Sequence, residues 1–181
     1  MVYLFFADGF EEIEALATVD ILRRAGVEVT TVSINSGIEV MGAHNVRVCA
    51  DTTMDDVNIS KPEMLILPGG MPGAKNLYEC SRLADLLVAE NARGTRIAAI
   101  CAAPAVVLAG LGLLKGHEAI CYPGFEGLMK GATISENVVV TDGNITTAMG
   151  PGFAMEFALE LVRILKSDDA SEQIAKGLLL I

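Results

Sequence analysis

Short apolar runs, each ending abruptly at an acid, a proline or a cysteine, constrain this chain more than any other feature. Val2–Ala7, Met64–Leu67 and Arg96–Ile100 have the length of buried strands and are too short for buried helices. Helical periodicity fills the gaps between them. Across Glu11–Ala25, apolar residues fall at Ile13, Leu16, Ala17, Val19, Ile21 and Leu22, and Gly26 stands where a helix C-cap is expected. Glu28–Ile34 is β-branched and alternating, which predicts a strand. Ile38–Met41 and Val46–Ala50 flank the turn-like Gly42–Asn45 as a small hairpin. Ser81–Ala92 and Ala102–Leu108 read as helices, the second with Pro104 in its first turn, where a missing N–H does no harm. His117–Cys121, Asn137–Thr141 and Ile145–Ala148 are expected as short strands, the last two joined by a turn at Asp142-Gly143. Phe153–Leu165 and Ala170–Leu179 are the closing helices. Strands alternating with helices through short loops predict a doubly wound, mostly parallel α/β sheet sandwiched by helices. The 181 residues suit a single domain over 1–181, with no internal repeat or linker.

Composition narrows the function classes. Lys and Arg number 13 against 23 Asp and Glu, a formal charge of −10 that repels phosphate backbones, so no nucleic acid is expected as partner. A hydrophobic fraction of 52% supplies ample surface to bury, which argues against disorder. No apolar run approaches the length of a membrane span, so no membrane partner is expected either. The first apolar run is short, lacks a basic leader and meets Asp8, so it reads as a strand rather than a signal peptide. Cys49, Cys80, Cys101 and Cys121 match no zinc-module spacing. They read as free thiols in a reducing cytoplasm, and no metal or cofactor is expected. The only histidines, His44 in the hairpin loop and His117 at a strand start, read as surface residues. No H-E-x-x-H, Walker A or G-x-G-x-x-G pattern is present.

Ligands of doubly wound sheets bind at the carboxyl ends of strands, so the residues just after strands carry the functional information. Cys101 lies between a buried strand and an immediate helix, as in a nucleophile elbow. A helix N-terminus favours the thiolate, which predicts a lowered pKa for Cys101. Cys49, Cys80 and Cys121 are expected as small packed residues. Gly69 and Gly70, with the Ala102 N–H, supply candidate oxyanion donors. Glu14, flanked by Ile13, Ala15 and Leu16, is expected to be desolvated, with a raised pKa suited to moving protons. Glu11 and Glu12 are expected in solvent as helix-dipole partners. An amidotransferase or peptidase would need a histidine base, and only His117 follows Cys101.

Taken together, Ala7-Asp-Gly-Phe-Glu-Glu-Ile-Glu14, Asp20-Ile-Leu-Arg-Arg-Ala-Gly26, Leu67-Pro-Gly-Gly70, Ala98-Ala-Ile-Cys-Ala-Ala-Pro104 and Gly150-Pro-Gly152 with Glu156-Phe-Ala158 resemble the DJ-1/ThiJ/PfpI superfamily, in its DJ-1-like branch. The resemblance covers almost the whole chain. It implies a flavodoxin-like sandwich and a homodimer. It also implies a reactive cysteine at Cys101 that oxidises readily to a sulfinate, with Glu14 as its protonated partner. By the same resemblance Gly70 and Ala102 are backbone donors, Gly150-Pro151 is the adjoining loop, and Arg24 is an anion-binding residue near the pocket. The activities implied are a glutathione-independent glyoxalase making lactate from methylglyoxal, a deglycase, and redox-dependent chaperone or stress-sensor roles. The partner is then a small carbonyl substrate or an oxidant. Two positions depart from the branch. Where many members have Thr-His-Pro, this chain has Cys121-Tyr122-Pro123, and a phenol, ionising at about pH 10, shuttles protons poorly at neutrality. His44 aligns with a second pocket arginine of some relatives.

Overall fold

A computed structural model describes residues 1–181. Strand β1 (Val2–Phe6) is buried at every position and is followed by helix α1 (Glu12–Arg24) and strand β2 (Val29–Ser33). The expected hairpin forms as β3 (Glu39–Met41) and β4 (Arg47–Cys49), and the two-residue β5 (Thr52–Thr53) follows. Strand β6 (Met64–Leu67), helices α2 (Gly73–Glu79) and α3 (Ser81–Ala92), and strand β7 (Arg96–Ile100) come next. A π-helical segment spans Pro104–Ala109. The two-residue strands β8 (Glu118–Ala119) and β9 (Thr133–Ile134) pair with each other. The chain closes with the β10 (Val139–Asp142) and β11 (Ile145–Ala148) hairpin and helices α4 (Ala154–Leu165) and α5 (Asp168–Gly177).

The seven-stranded sheet runs β10-β11-β7-β6-β1-β2-β5, parallel except at the β10–β11 hairpin. From β1 the chain builds outward through β2 and β5. It then returns to the other side of β1 and builds through β6, β7 and β11. The reversal lies between β1 and β6, which is where such sheets open a crevice at their carboxyl ends. Ala7-Asp8 and Pro68-Gly69 emerge there. Helices α1, α4 and α5 pack together on one face, and α2, α3 and the Pro104–Ala109 segment on the other. Between them lies one continuous core that includes Phe5, Phe6, Phe157, Leu22 and Leu65. This is a flavodoxin-like sandwich, as expected.

Helix α2 and two short strands go beyond the sequence expectation. Helix α2 hides behind Met71-Pro72-Gly73, which reads as loop. Strands β5 and β9 are two residues each, too short for any periodicity. The His117–Cys121 run contributes only two paired residues. Beyond them the Ile120 N–H donates to Thr147 Oγ1 at 2.9 Å instead of continuing the ladder. The last helix starts earlier than its apolar pattern suggests, because the Ser167 side chain caps it by accepting from the Ala170 N–H at 3.2 Å. No helix is long and apolar enough to cross a membrane.

Candidate active site

Strand β7 ends at Ile100, and Cys101 turns sharply with φ at +64°. A side-chain-bearing residue is strained in this left-handed region by roughly 1–3 kcal/mol. Two backbone hydrogen bonds hold it there. The Cys101 N–H donates to the Ala148 carbonyl at 2.9 Å, and the Cys101 carbonyl accepts from the Tyr122 N–H at 2.8 Å. The strain lifts the thiol off the strand toward the ends of β1 and β6. Gly69 makes the approach possible. A Cβ there would lie 2.6 Å from the Cys101 Cβ and 2.8 Å from Glu14 Oε2. Gly70, with φ at +87°, takes a conformation and a space that no other residue fits, since its Cβ would lie 2.5 Å from the Glu11 nitrogen.

Glu14 sits in the first turn of α1 with no exposed surface. Its Oε2 accepts from the Gly69 N–H at 2.8 Å, and its Oε1 is buried without a hydrogen-bond partner. Burial pushes this carboxyl up to about 7, aided by the charge on Glu11 and opposed by the Cys101 and Gly69 donors. The raised value agrees with the sequence expectation.

Cys101 does not follow its expectation. Burial, then the charge and hydrogen bond of Glu14, push the thiol up to about 12 rather than down. The backbone N–H groups of Gly70 and Ala102 act in the opposite direction, as oxyanion donors should, but they do not outweigh desolvation. The resting pair is therefore a thiol beside a carboxyl that can give or take a proton near neutral pH.

Glu11 and Glu12 also differ from expectation, being 8% and 7% exposed rather than solvated. Glu11 caps α1 by accepting from the Glu14 N–H at 2.8 Å through Oε2, which fixes the turn that aims Glu14. Glu12 grips the β3–β4 hairpin, accepting from the His44 N–H at 2.7 Å. The available signal was three acids within four positions directly after a strand, more than a helix dipole requires.

Tyr122 is 44% exposed and lies over Gly150, where a Cβ would stand 3.1 Å from the ring. With Pro123, Met149, Pro151 and Phe153 it borders a cavity of about 240 Å³. Gly150 and Pro151 thus stand beside Tyr122, which is tied to the cysteine through the backbone. Arg24 does not join them. It lies ten residues beyond Glu14, about 15 Å along α1 at 1.5 Å per residue, with its exposed guanidinium on Asp20 at 2.6 Å.

A strained cysteine at the carboxyl edge of a doubly wound sheet, facing a buried acid, defines a class of α/β proteins built around one thiol. Residues 1–164 match the DJ-1/PfpI family, and the chain belongs to that family. It is 38% identical over 175 residues to Protein DJ-1 homolog B of Arabidopsis thaliana, covering 96% of this chain but 40% of that protein. The chain thus spans less than half of that relative. It is 34% identical to the glutathione-independent glyoxalase DJR-1.2 of Caenorhabditis elegans, over 94% of this chain and 90% of that one. The structure of oxidized Toxoplasma gondii DJ-1 superposes with a TM-score of 0.95 at 39% identity, covering 98% of this chain and 97% of that chain.

Proposed function

We propose that the protein converts small α-ketoaldehydes such as methylglyoxal into 2-hydroxycarboxylates through a Cys101 hemithioacetal, without glutathione. The observation that carries this reading is the buried Glu14 carboxyl, its Oε1 unpartnered, set against a strained thiol under two backbone donors. The Cys101 sulfur bonds to the aldehyde carbon, and the carbonyl electron pair moves to oxygen. That oxygen is stabilised by the Gly70 and Ala102 N–H groups and takes the thiol's proton through Glu14. Glu14 then removes the proton on the former aldehyde carbon and returns it to the neighbouring carbon, while the hydroxyl proton passes from the first oxygen to the neighbouring one, leaving a 2-hydroxyacyl thioester. Water attacks the thioester, the hydroxycarboxylate leaves, and the thiol regains its proton. One water is consumed and no external oxidant or reductant is needed. The name of the C. elegans relative supports this chemistry.

The test is lactate formation from methylglyoxal with no added thiol. Lactate should rise in proportion to protein and stop once intact mass shows Cys101 alkylated by iodoacetamide, whereas lactate formed by protein fully alkylated at Cys101 would refute the mechanism. Tyr122 is expected to limit the rate, because an imidazole relays protons near neutral pH far better than a phenol. Tyr122→His should raise kcat about tenfold or more with little change in KM. An unchanged kcat would remove Tyr122 from the account.

A second reading is redox sensing or redox-regulated chaperone activity through oxidation of Cys101, favoured by the oxidized form of the T. gondii relative. The two readings part at turnover, since a sensor makes no lactate. We read the protein as a homodimer, supported by Ile13 and Leu16 on the outer face of α1, 59% and 39% exposed. A cytoplasmic setting is supported by four unpaired cysteines.

A further inference from the structure

We propose that Glu11, Glu12 and His44 form a binding site for a divalent transition-metal cation, separate from the thiol. Local sequence spacing could not reveal it, because the fold brings His44 from the β3–β4 hairpin to a pair of acids 32 residues earlier. One ligand atom from each residue lies within 4.8 Å of the others. His44 Nδ1 is 2.8 Å from Glu12 Oε2 and 4.0 Å from Glu11 Oε1. Oxygen and nitrogen ligands at about 2.1 Å from a zinc-like ion stand roughly 3–3.5 Å apart, so small side-chain rotations complete the set.

The carboxylates are held as metal ligands usually are. Each commits one oxygen to a backbone donor and turns the other to the same point. Glu11 Oε2 accepts from the Glu14 N–H, and Glu12 Oε1 accepts from the His44 N–H. Such outer contacts fix the orientation of the inner ligands. Gly42 leaves the space Glu12 occupies, since a Cβ there would lie 2.2 Å from its Oε1. The Glu11 side chain is nine-tenths buried, and its Oε1 has no hydrogen bond and faces His44. Two buried carboxylates against one imidazole leave the cluster net negative, which a divalent cation neutralises. The imidazole is 72% exposed, so solvent reaches the open coordination positions. One nitrogen and two oxygens suit Zn²⁺, Co²⁺ or Ni²⁺ rather than Ca²⁺.

The test is titration of Co²⁺ into the chelator-stripped protein, followed by displacement with Zn²⁺. Weak visible bands at one equivalent per chain are expected, without the intense near-ultraviolet absorption of a cobalt–thiolate bond. His44→Ala should weaken binding at least about tenfold. Glu11→Gln should also weaken it, although its amide oxygen can still cap α1. Cys101→Ala should leave binding unchanged. Circular dichroism confirms that each variant is folded. Absence of Co²⁺ and Zn²⁺ binding, equal affinity in folded His44→Ala and Glu11→Gln, or loss of binding in Cys101→Ala would each overturn the proposal.

Discussion

Cys101→Ala should lower kcat/KM for methylglyoxal by about a thousandfold or more while leaving the fold intact. The magnitude follows from removing the only atom that bonds to substrate; the other groups position or stabilise, and without a nucleophile they have nothing to act on. The fold should survive because alanine keeps the Cβ that packs against Gly69, and the backbone hydrogen bonds that hold the turn do not involve the sulfur. Alanine meets the same left-handed strain at φ +64°, and the backbone bonds to Ala148 and from Tyr122 that impose it remain. The measurement is lactate production beside a thermal melt. A variant retaining a tenth or more of native turnover at an unchanged melting temperature would sink the hemithioacetal mechanism. Activity lost together with the fold would show instead that the thiol is part of the packing.

Much of this arrangement was legible in the chain, for local reasons. Runs such as Val2–Phe6 and Met64–Leu67 are buried on both faces of a parallel sheet, so continuous apolarity marked them. Cys101 and Glu14 were legible because each directly follows or opens an element whose end is marked by composition. What was not legible depends on partners distant in sequence. A helix terminus is a local cue that favours the thiolate, whereas the desolvation that raises Cys101 is a product of the assembled fold. The burial of Glu11 and Glu12 escapes a local reading for the same reason. Their burial comes from Gly69-Gly70 on one side and the β3–β4 hairpin on the other. The placement of Arg24 near the pocket is carried by resemblance alone, since within one chain a helical rise of ten residues separates it from Glu14.

Glu14→Gln should stabilise the protein at neutral and higher pH while removing its turnover. The folded carboxyl titrates at about 7 against 4.5 in the unfolded chain, so the folded state holds the proton more tightly. The stabilisation linked to that proton is complete below about pH 4.5. It is lost progressively as pH rises toward 7, and above that the native protein carries a buried charge. The difference corresponds to about 3 kcal/mol. Glutamine mimics the neutral acid, since its carbonyl can accept from the Gly69 N–H and its amide can donate toward the sulfur, and it has no proton to lose. Variant and native stabilities should coincide near pH 4 and separate between pH 4.5 and 7. The variant should then melt higher by about 6–12 °C at pH 8 for a chain of this size. Turnover should fall about a hundredfold or more, because the amide cannot carry a proton from sulfur to oxygen. Chelator in every buffer keeps adjacent Glu11, Glu12 and His44 free of metal, so the shift reports on Glu14 alone. Parallel stability curves across this pH range would mean that Glu14 is not desolvated in solution. The proton relay would then need another carrier, because a carboxyl with an ordinary pKa beside a thiol near 12 has too little affinity for the proton it must accept.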